Sequence, residues 1–263
     1  DAVLGLLLSR LDRLGIRERT LVVVTSDHGE GLGEHGEAEH GFFVYDTTVR
    51  VPLIMRWPGT LAAGLRTGTN ARSIDLVPTI LDLVAGGAAV PDALPGRSLA
   101  PALRAPGGPG TDLGAYAETL FPRLHFDCAD LRSIRLGGWK YIEAPRRELY
   151  DLTRDPGERN NLFAAEGRRA ASLRSRLLDT LGDSPESAVV GVANPALDPE
   201  TLRRLASLGY VSGSGGGGRA DPKDEVANFQ AYTRRVRGAF EAYDRGDLPA
   251  AVAGFQAAIA TPA

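Results

Sequence analysis

Apolar residues at Val3, Leu4, Leu7, Leu8, Leu11 and Leu14 recur at helical spacing, and Gly15 follows where a helix would end. The next apolar segment, Thr20–Thr25, has no such period. A continuous β-branched run suits a parallel strand buried on both faces. Helix, polar turn and buried strand together predict the α/β alternation of a doubly wound sheet. A second strand is expected at Val51–Arg56, stopped by Trp57-Pro58-Gly59. Asp75 is expected to cap a helix with Pro78 in its first turn and Gly86-Gly87 at its end. Residues 87–112, rich in Pro, Gly and Ala, read as a surface meander. Beyond them the pattern predicts a strand at Ala115–Thr119, then a hairpin of Ser133–Arg135 and Lys140–Ile142 around Gly137-Gly138. A strand at Glu148–Leu152 and a helix over Ala164–Leu181 follow. Gly213–Gly218 reads as a flexible linker, and Asn228–Ala260 as two helices joined at Arg245-Gly246-Asp247. Ala239, Ala251, Phe255 and Ala258 keep the small/small/aromatic/small spacing of a tetratricopeptide repeat. One repeat cannot bury its own apolar face, so more are expected after it.

Composition narrows the function classes. The 263 residues carry 30 Lys+Arg and 33 Asp+Glu, a net charge of −3 that offers no basic excess for a nucleic-acid polyanion. Hydrophobic residues at 43% and charged residues at 24% exclude global disorder. The longest apolar runs, Leu21–Val24 and Val51–Met55, fall short of a membrane span. Cys128 is the only cysteine, so no internal disulfide forms. The chain opens at Asp1 within a helical pattern, with its single methionine at Met55, and stops within another helical pattern. It is therefore expected to be an internal segment of a longer protein.

The chemistry concentrates in Thr25–Gly41. Of four histidines, three (His28, His35 and His40) lie here, directly after the first strand, where open α/β sheets place their ligands. Asp27 offers a hard carboxylate oxygen and His28 an imidazole nitrogen, a pair that suits a divalent cation. The competing reading has Asp27 capping the turn and the histidines solvated.

These residues carry a resemblance. Ser26-Asp27-His28-Gly29-Glu30, Leu32-Gly33-Glu34-His35-Gly36 and Val51-Pro52-Leu53-Ile54 are similar to the sulfatase family of the alkaline phosphatase superfamily. The similarity continues through Asp75–Leu83, Gly96–Leu99, Trp139–Ile142, Glu148–Leu152, Asp155-Pro156 and Asn161-Leu162, so that residues 1–163 resemble the C-terminal part of such a catalytic domain. The fold it implies is an α/β alkaline-phosphatase-like sandwich with a small C-terminal β-sheet, followed by the helical, tetratricopeptide-like segment. The resemblance makes Asp27 and His28 half of a metal site. The expected cation is calcium first, with manganese, magnesium or zinc as alternatives. The remaining ligands and a formylglycine nucleophile belong to a preceding part of the family's domain. The family's Cys/Ser-x-Pro-x-Arg motif is absent here, so the segment alone is expected to be inactive; Cys128 is read as a packing residue. Where many sulfatases carry a sulfate-contacting lysine, this chain has Glu39-His40-Gly41. His40 becomes the expected catalytic group, able to protonate the leaving oxygen. His35 and His125 are candidate substrate-binding residues.

The domain plan is then 1–163 catalytic, 164–212 helical extension, 213–222 linker and 223–263 a helical pair. The implied function is hydrolysis of sulfate monoesters. A phosphoesterase or phosphoryl-head-group transferase of the same superfamily is one alternative, and a repeat scaffold with a degenerate catalytic part another. The expected partners are a sulfate or phosphate ester and a protein held by the repeat region. The compartment stays open, with periplasmic or secreted location compatible with the family.

Overall fold

Side chains that alternate along a strand face opposite sides of a sheet, and here both sides are apolar. Leu131, Ile142 and Tyr150 point one way; Ile134, Tyr141 and Leu149 point the other. The computed structural model describes residues 2–68, 70–87, 90–104, 112–181 and 220–259. Its elements in order are α1 (Ala2–Arg13), β1 (Val22–Val24), α2 (Asp46–Val49), β2 (Ile54–Arg56), α3 (Leu76–Ala85), α4 (Ala100–Arg104), β3 (Ala115–Thr119), α5 (Phe121–Phe126), β4 (Leu131–Leu136), β5 (Trp139–Glu143), β6 (Glu148–Asp151), α6 (Gly167–Leu181), α7 (Val226–Asp244) and α8 (Leu248–Ile259). They group into two units, residues 1–27 with 51–115, and residues 28–50 with 116–263.

In the first unit β1 pairs with β2, Val23 opposite Met55, and the pairing is antiparallel. This corrects the expectation of a parallel pair. The segment between the strands contains only short helical turns and no crossover helix, so the chain returns in the opposite direction. Asp75 departs from expectation too: its side chain caps no helical N–H of α3. Its carboxylate instead accepts from the Arg72 amide (3.0 Å), the Arg72 guanidinium (2.7 Å to Oδ1) and the Arg97 amide (2.8 Å). Gly86 ends α3 as expected, and α4 forms within the stretch read as a meander.

The second unit is built on an antiparallel sheet in the order β3-β4-β5-β6. The β4–β5 hairpin turns at Gly137-Gly138, with Leu136 opposite Trp139. Helix α6 covers one face through Ala170, Leu173 and Leu177. The other face meets the run Phe42-Phe43-Val44-Tyr45, together with Phe126 of α5 and Phe229 of α7. Lys140 also points to this side, 1% exposed, and lies 3.1 Å from Asp46 and 2.9 Å from Glu158. Those two carboxylates hold the ammonium where it is dehydrated, and the Glu158 carboxylate accepts from the Asp46 amide, tying α2 to the sheet. Cys128 is fully buried and its thiol is pushed up to about 12, first by burial, as suits a packing residue.

Helices α7 and α8 pack through the buried residues Ala239, Ala242, Ala251 and Ala258, with the ring of Phe255 edge-on to Phe240. The glycine run at 213–218 and most of the expected helical extension lie outside the described residues. Among the described residues no helix is long and apolar enough to cross a membrane.

Candidate active site

After β1 the chain passes through Asp27 and enters a loop over residues 28–45 that folds back on itself. The amides of Gly29, Gly31 and Gly33 donate to the carbonyls of Thr48, Glu39 and Glu37, at 2.8, 2.7 and 2.9 Å. Only glycine fits position 31, because a Cβ there would lie 2.5 Å from the Glu37 carbonyl oxygen and 2.8 Å from that of Glu39. Glu37, 1% exposed, accepts from the amides of Phe42 (2.7 Å) and Phe43 (3.2 Å). Burial pushes its carboxyl up to about 7, against the opposing pull of those two amides. Thr48 Oγ1 donates to the Phe43 and Tyr45 carbonyls, so the loop is fastened along its inner edge.

The outer edge of the loop carries the polar groups. The rings of His28 and His40 stack with centroids 3.9 Å apart, and His40 Nδ1 lies 2.9 Å from Glu30 Oε2. Nδ1 of His28 lies 2.8 Å from the Gly29 carbonyl. Donor atoms of His28, Glu30 and His40 all fall within 4.8 Å of one another, and the three residues are exposed. Two imidazoles and a carboxylate at that spacing are a donor set of the kind divalent cations take. Asp27 belongs to the other unit; it is exposed, and its Oδ1 accepts from Ser26 Oγ at 3.3 Å.

The structure thus brings His28 and His40 together and adds Glu30, which sequence reasoning passed over. Its signal was faint: a glutamate two residues after His28, but ten from the histidine it engages. The other two histidines go elsewhere. His35 sits at φ +54°, unusual for a non-glycine residue, and stacks on Tyr45 at 3.6 Å. Burial is the largest cause of its lowered pKa, so the fold favours the neutral ring. It lines a cleft of about 660 Å³ with Tyr45, Glu148, Tyr150, Arg159 and Lys223. Glu148 accepts there from both tyrosine hydroxyls and pairs with Lys223 at 2.5 Å. His125, on α5, stacks on Phe121 at 4.1 Å.

Residues 1–87 match the sulfatase family model. The chain is 34% identical over 170 residues to the N-acetylglucosamine-6-O-sulfatase of Bacteroides thetaiotaomicron, which covers 62% of this chain and 30% of that protein. It is 32% identical over 198 residues to arylsulfatase K of Mus musculus, across 72% of this chain and 35% of that one. A solved structure in complex with its substrate D-glucosamine-2-N,6-O-disulfate superposes with a TM-score of 0.58 at 32% identity, over 67% of this chain and 37% of that chain. These comparisons support the sulfatase family and an α/β fold with small antiparallel sheets. The chain spans about a third of the length of these relatives.

Proposed function

We propose that the chain supplies part of the active site of a sulfuric ester hydrolase acting on sulfated sugars. The observation that carries this is the joining of His28, Glu30 and His40 at the end of β1, inside the stretch that matches the sulfatase family. Sugar sulfates are preferred over other sulfate esters because the similar proteins include an N-acetylglucosamine-6-O-sulfatase and a disulfated glucosamine complex.

Asp27 and His28 would hold a divalent cation, calcium first. The donor chemistry fits: a carboxylate supplies the charge, and a histidine whose Nδ1 is held by the Gly29 carbonyl presents Nε2. A cation bound there would offset the negative oxygens of the sulfate group, which otherwise repel a nucleophile. His40 does the proton work in this reading. Glu30 accepts from its Nδ1–H and orients the ring, leaving Nε2 to donate to the departing sugar oxygen. His35 and His125 remain proposed substrate contacts, His35 from the wall of its cleft. The nucleophile, by the family resemblance a formylglycine, would come from outside this chain. The α7–α8 pair is read as a tetratricopeptide-like unit that holds a protein partner, supported by its buried alanine seam.

The test is product release by the whole protein. Given glucosamine 6-sulfate and the corresponding 6-phosphate, it should liberate sulfate, and chelation of divalent cations should stop it. Phosphate release without sulfate release would move the chain to the phosphoesterase branch. No release of either, together with no stoichiometric metal by elemental analysis, would favour a scaffold.

A further inference from the structure

The loop that bears His28 and His40 is gripped from two sides. Its own glycine amides and Glu37 hold the inside; helix α7, nearly two hundred residues later in the chain, holds the outside. The residues of α7 that reach the loop are Val226, Phe229, Gln230 and Arg237, which share one face at helical spacing. Phe229, 1% exposed, stacks on Phe42 at 4.4 Å. Val226 lies against Gly36, where a Cβ would come within 2.5 Å of the valine methyl, and Gly36 itself sits at φ +82°. Two features therefore favour glycine at this position, its backbone angle and the seat of the helix. Gln230 Nε2 donates to the Gly36 carbonyl at 2.8 Å, and Arg237 pairs with Glu39 at 2.9 Å.

These contacts differ in what they can control. Phe229 belongs to the core, so its loss would disturb the whole unit. The Arg237–Glu39 pair is solvent-exposed and contributes little. Gln230 is different. It is a half-buried side chain that spends its donor on a backbone carbonyl of the turn carrying His35, four residues before His40.

We propose that α7 is a positioning element of the histidine loop and that Gln230 is its positioning residue, fixing the Gly36 turn and through it the placement of His40. The catalytic part of this inference rests on the reading of His40 as the proton donor. By this account α7 builds the site in addition to pairing with α8.

Two variants of the whole protein separate the possibilities. Gln230→Met keeps length and loses the donor; Gln230→Lys, one bond longer, restores a donor. In Gln230→Met, amides of residues 31–43 should exchange with solvent roughly 3–10-fold faster, as expected for the loss of one half-buried hydrogen bond, while those of β4 and β5 stay unchanged. On a sugar sulfate, kcat should fall by a similar factor with KM within about twofold. Gln230→Lys should recover both. Unchanged loop exchange in Gln230→Met would overturn the inference, and so would faster exchange with an unaltered kcat, or a lysine variant as impaired as the methionine one. An inactive wild type whose loop exchange still responds to Gln230→Met would count against the sulfatase reading while upholding the grip of α7 on the loop.

Discussion

The two units solve burial differently. In residues 28–50 with 116–263, aromatic and aliphatic side chains close two cores on either face of a four-stranded sheet, and Tyr141, Phe42 and Leu149 are fully covered. In residues 1–27 with 51–115, the most buried groups are largely polar: Asp75, Thr79 and Asp82, each satisfied by hydrogen bonds. Leu83 and Ala100 are buried there as well, while other apolar residues are exposed, Val3 at 80% and Val84 at 61%. The β-branched run that composes β1 is only half-buried at each of its three residues. The lesson is that the histidine loop draws its rigidity from the second unit, through Phe42–Tyr45, although the strand that launches it belongs to the first.

The contrast breaks most clearly under truncation. Phe42→Ala should cost about 3–5 kcal/mol of unfolding free energy in denaturant titration, whereas Val3→Ala should stay within about 0.5 kcal/mol. Similar costs for the two would abolish the distinction. Lys140→Met belongs with the large effects, at about 3–5 kcal/mol, because Glu158 would be left buried without its counter-ion and Asp46 with Arg135 alone, at 3.8 Å.

Acidity sharpens the comparison, since one buried carboxylate of each unit, Asp75 and Glu37, shifts in the opposite sense to the other. Burial raises the Asp75 carboxyl, but Arg72 and the Arg97 amide outweigh that and leave it below its ordinary 3.8. Its stabilising contribution is complete above that value and is lost as pH falls through the lower folded one. Glu37 goes the other way. With a folded value of about 7 against an ordinary 4.5, it favours the fold most when protonated, so stability falls as pH rises from about 4.5 through 7. Glu37→Gln should flatten that slope and Asp75→Asn the acid one, read from midpoints of denaturation against pH. A Glu37→Gln profile that still falls across this range would assign the slope to another group. A small effect is also expected of Arg237→Ala, about 0.2–1 kcal/mol, for an exposed pair.

Much of the second unit was legible because its signals are local. Alternating residues around Gly137-Gly138 marked the hairpin, and helical spacing marked α6, α7 and α8. The direction of the β1–β2 pairing was not. A β-branched run suits a covered strand of either direction, and β1 is half-buried and antiparallel. At the candidate site, histidine density singled out the loop but could not sort the histidines. His28 meets His40 through the backbone ladder of Gly29, Gly31 and Gly33, while His35 turns to Tyr45 at a strained φ. Contacts such as Gln230 with Gly36 leave no trace in local pattern at all, because they join segments 194 residues apart.

The central claim is that this loop performs proton transfer in sulfate ester hydrolysis, with His40 as donor. His40→Ala in the whole protein, assayed on a sugar sulfate and on nitrophenyl sulfate, tests it most directly. A sugar alkoxide needs a proton to depart and a nitrophenolate scarcely does. Activity on the sugar ester should therefore fall by roughly 10²–10⁴-fold, and that on the aryl ester far less. Equal losses on both would make His40 a sulfate contact, and no loss on either would remove it from the chemistry.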